Sequence, residues 1–81
     1  MKLTYDPRHN IAYLRLLEKT GEVETIRVSD ELSVDIAPDG SVYGIELLNA
    51  NAQLRGGDQG LLVVVNEAIG EERQIPLAGK A

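Results

Sequence analysis

Residues 32–48 read LSVDIAPDGSVYGIELL, with alternating apolar and polar side chains on either side of Pro38-Asp39-Gly40. Alternation with a period of two is typical of a β-strand that has one buried face and one solvated face. Proline suits the first position of a tight turn, and Gly40 can take a positive φ without steric cost. The stretch therefore predicts a β-hairpin, around which we expect the rest of the chain to be organised.

The pairing of the two strands depends on the length of this turn. A four-residue turn over residues 38–41 would place Ile36 opposite Tyr43. It would also place Val34 opposite Ile45. A three-residue turn would instead place Ile36 opposite Val42 and divide the apolar residues between two faces. Since a slip of one residue moves every side chain to the other face of a sheet, we predict the register that the four-residue turn produces.

Similar alternation outside the hairpin predicts an all-β protein of antiparallel hairpins in a small two-layer sheet or sandwich. A helix over residues 64–69 is the competing interpretation of the tail, but three successive valines favour a strand. We expect a single domain over residues 1–81, with a β core at 1–48, a connector at 49–60 and a tail hairpin at 61–81. The predicted elements are strands at residues 2–5, 11–17, 22–28, 61–69 and 71–77, and a short helical turn near 49–54.

Composition narrows the functional classes. The 81 residues include no cysteine, which excludes disulfides and thiolate metal sites, and no cofactor is expected. The absence of cysteine fits the cytoplasm, where we expect the protein to reside. The longest apolar run, residues 61–65, is too short to span a membrane. A net charge of −5 argues against nucleic-acid binding and favours a basic protein as any charged partner.

Four short motifs follow one another in the first part of the chain: YDP at residues 5–7, YLRL at 13–16, DG at 39–40 and GIELL at 44–48. Their order and spacing resemble a family of short bacterial and archaeal proteins classed as a domain of unknown function, over residues 1–52. One departure is Asn10, where the family usually has an acid. The resemblance implies a small β fold with no established activity. Some relatives look like neighbours of toxin-like proteins, which implies an antitoxin-like role.

The candidate binding residues are carboxylates. In the predicted register Asp35 opposes Gly44, which puts Glu46 diagonal to Asp35 on the same face, at roughly 7–8 Å. Such a pair can perform acid–base chemistry when burial raises one pKa, whereas the competing interpretation is a solvated face. With Asp6 and Asp39 in the turns, these acids define the alternative function, a small-molecule or cation-binding protein. We predict no catalytic residue and no metal site.

Self-association is the remaining prediction. Apolar side chains also alternate onto the outer face of the predicted sheet, and small domains without disulfides or metals often gain stability by association. We therefore predict a homodimer or larger homo-oligomer, unless the tail hairpin covers this face. The function that we expect is a non-catalytic protein-interaction module, an acidic partner of a basic protein. The predicted interface residues are Ile11, Tyr13, Val42 and Leu48.

Overall fold

The computed structural model describes residues 1–57 and 60–77 and divides the chain into two compact units, Met1–Ala50 and Asn51–Ala81. The first unit contains five antiparallel strands in one sheet, in the spatial order β1-β2-β5-β4-β3. The strands are β1 (Lys2–Asp6), β2 (Ile11–Arg15), β3 (Glu24–Ser29), β4 (Leu32–Ile36) and β5 (Val42–Leu48). The all-β prediction is confirmed, and β5 of the central hairpin forms the middle of the sheet.

The register of the central hairpin is as predicted away from the turn and wrong beside it. Val34 opposes Ile45, but Ile36 opposes Val42 rather than Tyr43. The register shifts at this point, so that Tyr43 is the extra residue of a β-bulge in β5. The bulge explains how a shorter turn is compatible with the gathering of the apolar residues on one face.

Local hydrogen bonds account for the shorter turn. Ala37 N donates to Ser41 O at 2.8 Å, which closes the loop over the three residues in between. Gly40 N donates back to Ala37 O at 2.9 Å, and Ser41 N donates to Asp39 Oδ1 at 2.9 Å. Gly40 has a φ of 90°, which confirms the predicted positive φ. Ser41 is thus part of the hairpin ladder rather than of the turn. The strand after the turn is therefore one residue longer than the strand before it, and the extra residue is Tyr43.

Alternation along the strands gives the sheet two chemically different faces. The strand pairings align the residues of the apolar face in rows, and at the β3 edge this face also includes the polar residues Glu24 and Ser29. Its other members are Leu3, Tyr5, Ala12, Leu14, Ile26, Leu32, Val34, Ile36, Val42, Ile45 and Leu47. The polar face comprises Lys2, Thr4, Asp6, Ile11, Tyr13, Arg15, Thr25, Arg27, Ser33, Asp35, Gly44, Glu46 and Leu48.

Burial in the first unit is limited. Ala12, Tyr43 and Ala50 are its buried apolar residues, and no large side chain in the described part of the chain is completely buried. Most side chains of the apolar face are half-buried, and Ile26 is 43% exposed. The apolar face is therefore not covered as the core of a two-layer domain would be.

The second unit contains a second, two-stranded sheet. β6 (Leu61–Asn66) pairs antiparallel with β7 (Glu71–Pro76), which confirms the strand interpretation of the tail against the helical one. The predicted helical turn is also present, as α1 (Ala50–Arg55).

Parts of the predicted connector and tail, residues 58–59 and 78–81, lie outside the described residues. No helix within residues 1–57 and 60–77 has the length and apolarity needed to cross a membrane. The single domain remains a prediction.

Candidate functional site

Asp35 is the most buried charged residue of the described part of the chain, at 9% exposure. It lies in β4, directly opposite Gly44 of β5. Its carboxylate accepts a hydrogen bond from the Tyr13 hydroxyl at 2.8 Å and another from Thr25 Oγ1 at 2.7 Å. Lys19 Nζ lies 3.0 Å from Asp35 Oδ2. We refer to Asp35, Tyr13, Thr25 and Lys19 as the Asp35 cluster.

Gly44 makes the cluster geometrically possible. A β-carbon at this position would lie 2.5 Å from the Tyr13 hydroxyl oxygen and 2.6 Å from the backbone oxygen of Leu14. The phenol ring of Tyr13 therefore passes over the glycine to reach Asp35 on the next strand. A glycine inside a strand often marks such a close approach. The Tyr13 side chain of β2 thus packs directly against the backbone of β5 at Gly44.

Lys19 reaches the cluster from the loop between β2 and β3. The start of this loop is fixed to β5, because the backbone N–H groups of Leu16 and Leu17 both donate to Tyr43 O, at 2.7 and 3.0 Å. Lys19 Nζ also lies 4.8 Å from the centroid of the Tyr13 ring, within the range of a cation–π interaction. The lysine side chain is 44% exposed, so solvent screens its ion pair with Asp35.

The cluster moves the pKa values of its groups away from neutral pH. The hydrogen bond from Thr25 is the largest cause that lowers the pKa of Asp35, and it outweighs the opposing effect of burial. Burial, followed by the hydrogen bond to Asp35, raises the pKa of Tyr13. The bond to Asp35 raises the pKa of Lys19. Asp35 stays ionised with its donors in place, an arrangement that suits a stabilising polar network better than proton transfer.

The other predicted acids are dispersed. Asp6 is the last residue of β1, and its Oδ2 lies 2.6 Å from His9 Nδ1, a hydrogen bond that lowers the pKa of Asp6. Asp39 lies in the turn before β5, at the end of the sheet opposite to Asp6. The hydrogen bond from Ser41 N lowers the pKa of Asp39. Glu46 shares the polar face with Asp35. Within residues 1–57 and 60–77, no three His, Asp or Glu side chains form a group suited to a metal ion.

The structure places the four predicted interface residues on two different faces. Ile11 opposes Leu48, and both lie with Tyr13 on the polar face, as predicted. The placement predicted for Val42 is wrong, because the bulge puts it opposite Ile36 and so on the side of the apolar face. Tyr13 is held by Asp35 rather than free to contact a partner. Their role in an interface stays a prediction.

Lys19 and Thr25 were not identified from the sequence. Thr25 opposes Asp35 across the β3–β4 pair, and this pairing depends on where β3 starts. Lys19 lies in a loop, and no local sequence pattern determines the path of that loop. The available signal was Gly44, a glycine within an otherwise regular strand and opposite a carboxylate. A glycine opposite a carboxylate is compatible with relief of crowding as well as with close approach of another backbone, and it does not indicate which side chain approaches.

Asn10 has a structural role at the other end of the sheet. It has a φ of 58°, and Asn49 has a φ of 54°, a region that asparagine enters more readily than most residues. The two side chains are joined by a 3.3 Å hydrogen bond, and Asn49 Nδ2 donates to Glu31 Oε2 at 2.6 Å. Ala50 N donates to Asn10 O at 3.1 Å. An asparagine at position 10 thus allows the positive φ that the backbone adopts there.

The single five-stranded sheet, with one apolar face and one hydrogen-bonded polar face, defines a small all-β domain. The chain belongs to the family described as "Protein of unknown function (DUF2283)", whose model matches residues 2–51. This match spans all five strands of the first unit and confirms the resemblance to a domain-of-unknown-function family. No curated protein matches the chain. No solved structure matches it.

Proposed function

We propose that the protein is a non-catalytic interaction module that associates with a second copy of itself through the apolar face. The observation that carries this proposal is the exposure of aligned rows of aliphatic side chains, with Ile26 43% exposed at one end of a row. Contiguous apolar surface of this kind is typical of protein–protein interaction sites. The directions of the pKa shifts in the Asp35 cluster support a role without acid–base catalysis.

A second copy suits this surface because the strand pairings place a single charged side chain on the apolar face, Glu24 at the start of β3. Two such faces are self-complementary and would pack about 10 Å apart, as sheets do in sandwiches. The carboxylates of the polar face would lie outside this interface. Each square ångström of apolar surface removed from water contributes roughly 25 cal/mol before the costs of association. Association would thereby supply the second layer that the first unit lacks.

The test is the mass of the protein in solution at micromolar concentration. Light scattering should give at least twice the mass of one chain, and Ile26→Lys should reduce it to that of a monomer. The matched control is Ile69→Lys, which introduces the same charge at an isoleucine that is 66% exposed in the turn after β6. This variant should keep the wild-type mass. A monomeric wild type would contradict the proposal, as would a dimer that Ile69→Lys alone disrupts.

A basic protein is the second kind of partner that we propose. The net charge of −5 supports it, since complementary charge accelerates and orients association. The antitoxin-like role that the family resemblance implies is of this kind. Cation or small-molecule binding has less support, because Asp6 and Asp39 lie at opposite ends of β5. Pull-down with basic proteins encoded beside this chain would test the role directly.

A further inference from the structure

A groove of about 580 Å³ lies beside the N-terminal end of β3. Its apolar part is formed mainly by Val23 and Ile36 together with the turn residues that follow β4. Two carboxylates, Glu22 and Glu24, line the same groove. Both glutamates are exposed, and neither takes part in an ion pair within the described residues. The groove thus combines apolar walls with unneutralised negative charge.

The strand next to this groove is an edge of the five-stranded sheet. β3 pairs with β4 on one side, and every residue of β3 is exposed. On its other side alternate backbone N–H and C=O groups point away from β4. Edge strands of this kind bind extended peptides by adding a strand, with backbone hydrogen bonds for affinity and side-chain pockets for specificity.

The length of the available edge is limited by a second bulge. The β3–β4 register shifts between Arg27 and Ser29, so the regular part of β3 covers residues 24–27. Bulges disrupt the ladder locally and end strand pairing. An added strand would therefore be short and would run beside the groove rather than along the whole edge.

We propose that the edge of β3 and this groove form the binding site for a short extended segment of a basic partner protein. A lysine or arginine of the segment places its aliphatic stem against Val23 and Ile36 and its charged end near Glu22 and Glu24. The proposal rests on the interaction role proposed above but not on self-association, because face-to-face packing of two sheets leaves their edges open.

A labelled seven-residue peptide of alternating valine and arginine is the probe. Fluorescence polarisation at 150 mM salt should show saturable binding to the wild type, whereas a peptide of alternating valine and glutamate should not bind. Methylating the backbone nitrogens of the arginine peptide should abolish binding, because strand addition needs their N–H groups. Binding of the methylated peptide with unchanged affinity would overturn strand addition.

The matched pair of variants separates the groove from general charge attraction. Replacing Glu22 and Glu24 together by glutamine should weaken binding by about tenfold, as expected for the loss of charge-assisted pairs. Replacing Glu67 and Glu72 together by glutamine changes the net charge equally in the tail unit and should alter affinity by less than about twofold. Equal weakening in both double variants, or no binding by the wild type, would overturn the proposal.

Two further readouts distinguish failure of this site from failure of self-association. The amide NMR signals that the peptide shifts should belong to residues 22–27 and 36–40. Perturbations confined to other residues would contradict the site. Light scattering on the same samples should give the same protein mass for wild type and both double variants. A wild type that does not bind the peptide but has at least twice the mass of one chain would refute the groove alone. A monomeric wild type that binds the peptide would refute self-association alone.

Discussion

The centre of the polar face of the five-stranded sheet is better buried than most of the apolar face. On the polar face Ser33 and Asp35 are 8% and 9% exposed. On the apolar face most side chains are half-buried, and Ile26 is 43% exposed. The centre of the polar face is covered by its own side chains, because Tyr13 lies across Gly44 and Lys19 reaches over from a loop. The apolar face has no such cover in the first unit.

This difference shows that one sheet can be stabilised in two ways. Hydrogen bonds to a buried carboxylate are directional and are completed within one copy of the first unit. Apolar surface is stabilised by any neighbour that excludes water. Aliphatic side chains that stand upright on one face of a sheet do not shield each other from water, so they need a second layer. The polar face should therefore control the stability of the single chain, and the apolar face its association.

The largest effect is expected at the close approach on the polar face. Gly44→Ala should destabilise the fold by about 3 kcal/mol, because the added carbon would meet both the Tyr13 hydroxyl and backbone of β2. Denaturant unfolding at one fixed protein concentration measures the change. Gly21→Ala is the matched control, since nothing lies within 4 Å of a β-carbon there. An unchanged unfolding midpoint for Gly44→Ala would mean that Tyr13 does not cover the glycine.

A smaller effect is expected when the carboxylate itself is removed. Asp35→Ala should destabilise the protein by about 2 kcal/mol, because the hydroxyls of Tyr13 and Thr25 lose a buried acceptor. Asp30→Ala removes an acid that is 99% exposed and pairs with Arg27 at 3.2 Å. Surface pairs contribute little, so this control should change stability by less than about 0.5 kcal/mol. Equal losses of stability in Asp35→Ala and Asp30→Ala would mean that the hydrogen bonds of Asp35 do not stabilise the polar face.

The smallest effect is a dependence of stability on pH. The pKa of Asp35 is lowered in the folded state, so its contribution is present above the unfolded value of about 3.9 and is lost as pH falls through the folded pKa. Unfolding experiments between pH 5 and the acid limit should show a weaker loss of stability for Asp35→Asn than for the wild type. Asp6 and Asp39 retain slopes of the same sign in both proteins. Identical pH profiles would show that Asp35 is not specifically stabilised.

The sequence was sufficient to predict the hairpin, the alternation of its faces and the strand character of the tail. Those features depend on local patterns, such as the period of two in residues 32–36. It was not sufficient to predict that the centre of the polar face is buried. That outcome depends on the pairing of β2 with β5, which brings Tyr13 beside Glu46 from 33 residues away in the chain. The bulge could not be predicted, because a four-residue turn with a continuous ladder satisfies the same alternation of apolar residues.

The bulge at Tyr43 limits how the length of this hairpin can change during evolution. The three-residue turn and the extra residue together keep the side chains of β5 on their correct faces. Deleting one residue between Ile36 and Gly44 would have to remove the bulge from β5 or invert one strand relative to its neighbours. In family members, a turn that is one residue longer should therefore accompany a regular start of β5. Insertions and deletions in this segment should occur in such compensating pairs.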